Sequence, residues 1–480
     1  MPGVSVQTLT RTGPVAPNIA PSGQVFMVGL AERGQTTAPE LVRGVADFRA
    51  KFGTRVSYSH LYDNIATFFE EGGAQAWVVR VVGPAATAGT VTLLDRQTVG
   101  EATIKIDAIG AGAWSDDVDL VVSDVTSGTE VAVVYQGTTV ERHVGATIET
   151  LVSAINTSAY VTATNQGSDA TPDADKLPKA GTFNLSAGSD DRASVTATHY
   201  ETALGLFDPS LGDGAVAIPG VGTSVHSALL THCRNNNRRI ALLSAAETAT
   251  TNDLTSAADG LNSEFGGLFA PWVQISTSTG TAYTSPEGYV AGVRNRAHVE
   301  AGPWRAPAGQ IAVARSVIGL RQDYSRAVGD TLDAAKVNAI RLIGGNTVRL
   351  YGWRSLSNDV DNFSMLSARD TLNNVVVGAE ARLEQFVFQT IDGKGQLLST
   401  ISGTLTGMLE PMRAAGGLYE LIDATGKQVD NGYLVDVGPS VNTFENLARN
   451  EVKARISIRV SPTASLISVT VVKVGLLSGL

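Results

Sequence analysis

The sequence predicts an α+β (mixed α/β) protein whose core is built from N- and C-terminal parts of the chain, with an inserted β-rich domain and extended terminal arms. Three observations support this class. QVFMVGL and AWVVRVV are apolar runs typical of buried strands, and a helical pattern lies between them. At Gly83-Pro84 the composition shifts toward Thr, Val, Gly and Asp, and α/β patterns resume at VTATHYETALGLF. The two chain ends have no obvious partners within the chain.

These changes in pattern divide the chain into six segments. We expect an extended N-terminal arm (1–22), a first part of the α/β core (23–84), the inserted β-rich domain (85–190), a continuation of the α/β core (191–355), a C-terminal domain with two long helices (356–465) and a C-terminal strand arm (466–480). Because 480 residues exceed what one hydrophobic core usually supports, several domains are expected.

The N-terminal elements can be read from prolines and apolar spacing. Prolines disfavour helix in the arm, at Pro2, Pro14, Pro17 and Pro21. A helix is expected from Ser59, which can cap it, through Glu71, because Leu61, Ile65 and Phe68 share one face. The inserted domain shows alternating runs such as TIKIDAI, VDLVVSD and VAVVYQG, which predict strands, and one short helix at TIETLVSAINT.

The core continuation alternates strands and helices. IALLSAA and FAPWVQI have the pattern of buried strands, with a helix candidate, TNDLTSAADGLNSEF, between them. TLDAAKVNAIRLIGG reads as a helix closed by Gly344-Gly345, and NTVRLYGW as the strand that follows it. The proline-flanked stretch GPWRAPAGQ (302–310) predicts a shaped connector, because each proline restricts its own backbone and that of the preceding residue.

Two long amphipathic helices are expected near the C-terminus, each with apolar residues at alternating steps of four and three. The stripes are Leu372, Val376, Ala379, Leu383 and Phe386 in the first helix, and Leu398, Ile401, Leu405, Met408 and Met412 in the second. Both are interpreted as core-facing, and each is too short to favour a coiled coil. KARISIRVSP and SLISVTVVKVGLL then read as strands; the second is apolar on both faces and expects cover on both.

Composition excludes several classes of function. Acidic residues outnumber basic ones by 46 to 36, a net charge of -10, which argues against a nucleic-acid partner. The single cysteine, Cys233, cannot form an intramolecular disulfide. The start lacks a signal-peptide pattern, and no apolar run approaches the length of a bilayer span, so we expect a protein that is not inserted in a membrane.

Signatures of catalysis are scarce. GxxxxGK[ST], GxGxxG, GxSxG and HExxH are all absent from the sequence. His226, His232 and Cys233 come nearest to a metal site, but a helical step of six puts the two rings on different faces, so ordinary helix roles are favoured. We therefore nominate no catalytic, cofactor-binding or metal-ligating residue and expect no cofactor.

Two charged clusters have simple interpretations. Asp116, Asp117 and Asp119, together with Asp190-Asp191, could bind calcium or a sugar on a β-rich module, but turn hydrogen bonding explains them more cheaply. The basic run at 234–239 could contact phosphate; a solvated helix end before IALLSAA is the favoured interpretation. A long chain with so little chemistry suggests a structural or binding role.

Several stretches, taken in order, resemble the sheath proteins of contractile bacteriophage tails and contractile injection systems. They are the opening MPGV, then VGLAERG, ELVRGVADFRAKFG, LYDNIATFFEEGGAQAWVVRV, GAWSDDVDLVV, SPEGYVAGVRNRAHVEAGPWRAPAG and VNAIRLIGGNTVRLYGWRSLS. The fourth stretch is the most specific single match. In this resemblance GPWRAPAGQ is the fixed corner of the sheath core, and VNAIRLI lies in an Asn-x-Ile helix before a strand.

The resemblance implies a structural subunit that stacks as rings, sixfold in expectation, around an inner tube and contracts to drive that tube through a cell envelope. Expected partners are other copies, the inner tail tube protein, and baseplate and tail terminator proteins, in a virion tail assembled in the host bacterial cytoplasm. Terminal arms would link neighbours by strand addition. The residues nominated for this exchange are Pro2, Gly3, Val4, Val6, Ile467, Val469, Val471, Val472 and Val474.

Two other readings stay open at the level of sequence. A multi-domain carbohydrate-binding or carbohydrate-active protein with a β-rich module would need paired carboxylates across a cleft, and no such pair is evident. A tube or capsid-like shell protein would share the logic of assembly. The long two-domain layout and the order of the motifs favour a sheath.

Overall fold

The computed structural model describes residues 23–345 and 347–465, which form two compact units. The larger unit contains residues 23–299 and 307–366, and the smaller unit contains residues 300–306 and 367–465. Helices and strands occur in both units, which confirms the predicted α+β class.

The strands are β1 (Gln24–Gly29), β2 (Glu40–Val42), β3 (Gln75–Arg80), β4 (Thr90–Leu94), β5 (Ala102–Ala108), β6 (Val118–Val125), β7 (Gly128–Tyr135), β8 (Thr138–Gly145), β9 (Val161–Asn165), β10 (Gly181–Asn184), β11 (Gly214–Ala217), β12 (Arg239–Ser244), β13 (Gly266–Ala270), β14 (Val273–Thr277), β15 (Gly280–Thr284), β16 (Val317–Leu320), β17 (Val337–Ile343), β18 (Thr347–Leu350), β19 (Leu421–Ile422), β20 (Gln428–Asp430), β21 (Tyr433–Asp436) and β22 (Arg455–Ile458). The helices are α1 (Val45–Phe52), α2 (Leu61–Glu70), α3 (Ile148–Ile155), α4 (Ala197–Leu204), α5 (His226–Asn236), α6 (Thr251–Asp259), α7 (Glu287–Ala301), α8 (Arg326–Ala334), α9 (Val360–Phe363), α10 (Leu366–Leu383), α11 (Gln396–Ala414) and α12 (Phe444–Ala448).

An eight-stranded sheet forms the centre of the larger unit, in the order β18-β17-β13-β12-β11-β1-β3-β2. The six inner strands are parallel, and β2 and β18 add antiparallel edges. Phe26 and Val28 of β1 point to a core shared with α4, α5, α6 and α8. The inner strands are buried on both faces, which explains why their sequences are continuous apolar runs.

Helices α2 and α7 pack closely on each other in the same unit, and glycine makes this approach possible. A Cβ at Gly288 would lie 2.2 Å from the backbone oxygen of Asn64, and one at Gly292 would lie 2.8 Å from that of Phe68. Helix α2 begins at Leu61 with His60 as its N-cap, so the prediction of Ser59 as the capping residue is wrong by one position. The Ser59 hydroxyl still accepts from the backbone N–H of Leu61 at 3.2 Å. The glycines of SPEGYVAGV are therefore packing residues at helical spacing.

The segment from β4 to β10 is a β-rich part of the larger unit with an apolar core of its own. A four-stranded sheet, β10-β6-β7-β8, and a three-stranded sheet, β4-β5-β9, share one apolar core with α3. Strand β1 pairs with both β3 and β11 in the central sheet, although this β-rich segment lies between β3 and β11 in the sequence. The segment is therefore an insertion that leaves the central sheet continuous. We call residues 85–190 the inserted domain.

Arg80 at the end of β3 joins the inserted domain to the core. Its buried guanidinium donates to the backbone oxygens of Ala31, Gly34 and Ala111 and to the Asp190 carboxylate, the last at 2.6 Å. Burial lowers the pKa of Arg80, and the nearby charge of Asp190 opposes that shift. Asp190 is therefore a structural ion-pair partner and not a free turn residue.

The helix predicted at TLDAAKVNAIRLIGG is wrong in its second half. Helix α8 ends at Ala334, Lys336 adopts a left-handed φ of 63°, and Val337–Ile343 is strand β17. This strand pairs in parallel with β13 and leads through Gly344 and Gly345 into β18. A short apolar run fits a helix or a buried strand equally well, and the tertiary pairing decides between them.

Two smaller predictions also need correction. FAPWVQI forms two strands, β13 and β14, separated at Pro271, whose nitrogen has no hydrogen to donate to a sheet ladder. In the basic run, Arg239 is buried: its guanidinium donates to the backbone oxygens of Phe207, Asp208 and Gly212 and lies 3.8 Å from the Phe26 ring centroid. Burial lowers the pKa of Arg239 to about 10. A solvated helix end describes only the earlier part of the run.

Glu287, a buried carboxylic acid at the start of α7, yields a pH prediction. Its Oε1 accepts from the Ser244 hydroxyl at 2.5 Å, and burial raises its pKa above the ordinary value of 4.5. The contribution of protonated Glu287 to the free energy of unfolding is therefore fully present below the unfolded-state pKa. It is lost as the pH rises through the raised folded-state pKa. We expect Glu287→Gln to match the wild type in urea denaturation at pH 4 and to exceed it at pH 8.

The comparison is made between the two proteins at each pH, so other titrating groups cancel. Glu445→Gln, at an exposed carboxylate of the smaller unit, is the matched control and should show no such divergence. Equal stability of Glu287→Gln and wild type at both pH values would contradict the prediction.

Candidate assembly interface

The smaller unit is built on α11, the second of the predicted long helices. Its apolar residues Ile401, Leu405, Met408 and Met412 are buried, and this confirms the core-facing interpretation of its stripe. The Asp392 carboxylate accepts from the backbone N–H groups of Lys394, Gln396 and Leu397 at the start of α11. Those N–H groups lower the pKa of Asp392.

A two-stranded antiparallel sheet, β21 and β22, packs beside α11. Tyr433 and Val435 of β21 face the same apolar cluster as Ile456 and Ile458 of β22, directly opposite them in the antiparallel register. The Tyr433 hydroxyl donates to Glu410 of α11 at 2.8 Å. These contacts hold the two strands against α11.

Helix α10 is the first predicted long helix, and its stripe is only partly covered. Leu372, Val376, Ala379 and Leu383 are half-buried, whereas Val375 is buried. They line an apolar groove of about 520 Å³ that α10 shares with β22. The interpretation of this stripe as core-facing is therefore right about its apolar character and incomplete about what covers it.

The groove has an apolar floor formed by α10 and a wall formed by β22. Its lining residues are Leu372, Val375, Val376, Ala379, Glu380, Leu383, Glu384, Val387, Ala454, Ile456 and Ile458. The two glutamates are the only charged residues among them. An apolar groove beside an open strand edge suits an additional β-strand with apolar alternate side chains.

Within the described part of the chain, β22 pairs on one side only, with β21. The backbone N–H of Arg459 donates to Gly432 on the β21 side. Because hydrogen bonding alternates along an antiparallel ladder, the N–H and C=O groups of Ile456 and Ile458 are directed away from β21. These groups supply the edge that an incoming strand would use.

The strand-exchange residues nominated from sequence lie outside the described residues. They are Pro2, Gly3, Val4, Val6, Ile467, Val469, Val471, Val472 and Val474. The structure instead shows an apolar groove, formed by α10 and β22, that the sequence did not predict. The apolar stripe of α10 and the alternation of Ile456 and Ile458 are both evident in the sequence. No sequence pattern indicates that these two elements lie next to each other.

The residues weighed for chemistry have structural partners. His226 contacts the backbone oxygen of Ser244 at 2.8 Å, and burial raises the pKa of the Cys233 thiol to about 12. Asp116 accepts from the backbone N–H of Gly188, and Asp119 accepts from the Asn184 side chain. Both contacts join parts of the inserted domain that are distant in sequence, so the prediction of local turn hydrogen bonds is wrong for these two carboxylates. Among the described residues, no group of three or more His, Cys, Asp or Glu side chains could hold a metal ion.

Trp304, from the GPWRAPAGQ stretch, packs on the apolar cluster of the smaller unit. Its ring lies so close to Gly302 and Gly417 that a Cβ on either would come within 2.5 Å of the indole. Gly302 has φ +105°, a left-handed value that favours glycine. The connector is shaped around this tryptophan.

Comparison with solved structures identifies the architecture. The chain is similar to the sheath tail protein from Desulfitobacterium hafniense, with a TM-score of 0.59, 14% identity, and 91% of this chain and 93% of the other covered. The sheath tail protein Lin1278 from Listeria innocua is similar with a TM-score of 0.61 and 14% identity, and the match covers 87% of this chain and 89% of the other. A chain of the anti-feeding prophage baseplate in its contracted state is similar with a TM-score of 0.60 and 18% identity, and the match covers 100% of this chain and 99% of the other. The chain has the tail sheath fold.

The sheath fold is evident from structure and not from overall sequence similarity, since no family model and no curated protein matches this chain. Similar chains also include the contracted sheath of an extracellular contractile injection system, at 14% identity and a TM-score of 0.55. Coverage near the full length of both chains means that the sheath likeness includes the groove-bearing unit. None of the helices in the described residues has the length and apolarity that a bilayer span requires.

Proposed function

We propose that this chain is the structural subunit of a contractile tail sheath, which assembles as stacked rings around an inner tube and contracts to drive the tube through a cell envelope. The sheath fold over nearly the whole chain supports this role. The observation that carries the proposal is the apolar groove beside the open edge of β22, which has the form of a strand acceptor.

The arms would fill this acceptor between subunits. The C-terminal segment is apolar on both faces, with Ile467, Val469 and Val471 on one side and Val472 and Val474 on the other. Such a strand requires cover on both sides, and the groove offers α10 below and β22 alongside. Pro2, Gly3, Val4 and Val6 would supply a second arm, so that each copy stays linked to neighbours while rigid units shift during contraction.

The six-segment division of the chain, with arms at 1–22 and 466–480, is part of this proposal. Partners would be further copies in sixfold rings, an inner tube protein, and baseplate and terminator proteins, in the tail of a virion or a related particle assembled in a bacterial cytoplasm. No enzymatic activity is included, because energy for contraction would come from an extended lattice that is less stable than the contracted one.

The arm prediction can be tested with purified protein. We expect negative-stain electron microscopy of the full-length chain, at increasing concentration, to show striated hollow tubes. Removal of residues 1–20 or of residues 466–480 should abolish the tubes, because each deletion takes away a strand donor. Circular dichroism and thermal melts check that both truncated proteins keep the fold.

The matched control changes the termini without shortening them: Val4→Ile with Val469→Ile preserves the apolar alternation and should still assemble. Tubes formed by both truncated proteins at the wild-type concentration would refute strand donation by the arms. Monodisperse wild-type particles at every concentration, with and without an added tube, would refute the sheath role.

A further inference from the structure

The β17–β18 hairpin of the larger unit places two arginines directly opposite each other. Arg341 of β17 and Arg349 of β18 are register partners, so their side chains leave the same face of the sheet. Tyr351, two residues beyond Arg349, shares that face and is 54% exposed. Directly opposed like charges destabilise a hairpin, so this pair is unfavourable for the isolated subunit.

Among residues 23–345 and 347–465, no carboxylate pairs with either guanidinium group. Both are half-buried, and within the described residues the Nε atom of each is buried without an acceptor. Neither forms an ion pair there; Arg341 only lies over the Tyr351 ring, 5.7 Å from its centroid. Many other arginines have carboxylate partners: Arg55, Arg80, Arg96, Arg142, Arg296, Arg321, Arg354, Arg413 and Arg459.

An acidic chain that leaves two adjacent arginines unneutralised indicates a surface completed by something else. Buried donors without acceptors are costly, and such violations cluster at functional surfaces. Arginine and tyrosine are also the side chains that contribute most often to binding hot spots. The chemistry that satisfies two guanidinium forks is a pair of carboxylates.

The chain carries those carboxylates in its own inserted domain. Residues 85–190 contain 14 acidic and 5 basic side chains, a net charge of −9, which accounts for most of the net charge of -10. Exposed carboxylates there include Glu101, Asp117, Glu149, Asp169 and Asp173. The remainder of the chain is close to neutral, so this domain is the acidic surface that accompanies every copy.

We infer that the face formed by Arg341, Arg349 and Tyr351 docks on the acidic inserted domain of a second copy of this chain. The contact is heterologous, because two different surfaces meet, and heterologous contacts propagate into rings or helices. This salt-sensitive contact would act in addition to the strand exchange proposed above. The inference rests on the proposed sheath function, because sheath assembly is what brings identical copies close together.

Zero-length cross-linking tests the occupant directly. The full-length variant Arg341→Lys/Arg349→Lys keeps both charges and supplies amines that a carbodiimide can join to carboxylates in direct contact. Equal amounts of ¹⁴N- and ¹⁵N-labelled protein are mixed, so that mass spectrometry counts only links between copies. We expect links from these positions to acidic residues of 85–190, falling about tenfold in 1 M salt, where the Debye length is ~3 Å.

The control is Arg43→Lys/Arg234→Lys, which places the same two amines at exposed arginines on other elements and should not link preferentially to the inserted domain. Links to carboxylates elsewhere, or none between copies, would overturn the inference. Tubes without these links would refute this contact and leave the sheath role intact. Links without tubes would support the contact and count against the sheath role.

Discussion

Replacement of Ala379 by tryptophan is expected to abolish tube formation while leaving the subunit folded. Ala379 is half-buried on α10 and lines the groove of the smaller unit, so an indole there would occupy the space proposed for a neighbour's strand. The new ring would bury apolar surface against Leu372, Val376 and Ile456 without introducing a charge. Thermal stability should therefore be unchanged or higher, and electron microscopy should show single particles.

Ala414→Trp is the matched control, because it adds the same ring at the exposed end of α11 and should still form tubes. Mixing provides a further test of donation between copies. A groove-blocked subunit with intact arms should bind an arm-truncated subunit with an open groove, giving small complexes in analytical ultracentrifugation but no tubes. Normal tubes from Ala379→Trp would show that the groove is not the acceptor.

Replacement of Arg80 by leucine is expected to destabilise the larger unit by ~3–5 kcal/mol, because it breaks a buried ion pair by removing one partner. Asp190 would be left buried with only the exposed Arg192 guanidinium, 3.9 Å away, as a cationic partner. The backbone oxygens of Ala31, Gly34 and Ala111 would lose their donor. Urea denaturation followed by tryptophan fluorescence measures the loss. The linker near Gly83 should also become more sensitive to limited proteolysis, because Arg80 ties the core to the inserted domain.

Two variants separate the ion pair from general effects of arginine loss. Arg142→Leu removes a 59% exposed arginine paired with Glu130 and should change stability by no more than about 1 kcal/mol. Arg80→Leu/Asp190→Leu should recover part of the loss, since the uncompensated charge is gone. A single Arg80→Leu variant as stable as Arg142→Leu would show that the junction does not depend on this pair.

The inserted domain is also held by contacts that do not involve Arg80. Arg33, in the loop after β1, lies among three aromatic rings of the inserted domain, 4.4 Å from the Tyr160 centroid and 5.6 Å from that of Tyr135. The Tyr135 hydroxyl donates to Glu32 at 2.5 Å. Short-range patterns in AERG and in the inserted strands gave no indication of this junction, because its partners are separated by about a hundred residues.

Local sequence patterns were sufficient for many elements. The apolar runs VFMVG and AWVV form most of the strands Gln24–Gly29 and Gln75–Arg80 in the central sheet. The step pattern of Ile401, Leu405, Met408 and Met412 also determined a helix and its buried face. In each case the spacing of apolar residues within a single helix or strand is enough to identify its buried face.

The sequence by itself determined the α+β class and the buried face of elements such as α11. Tertiary structure decided that Val337–Ile343 is a strand, that Arg341 faces Arg349, and that α10 and β22 leave a groove between them. The physical reason is that a pattern encodes the side of an element that avoids water, whereas the neighbour that covers this side comes from a distant part of the chain. When no neighbour in the described chain covers it completely, as for α10, an apolar groove is left open.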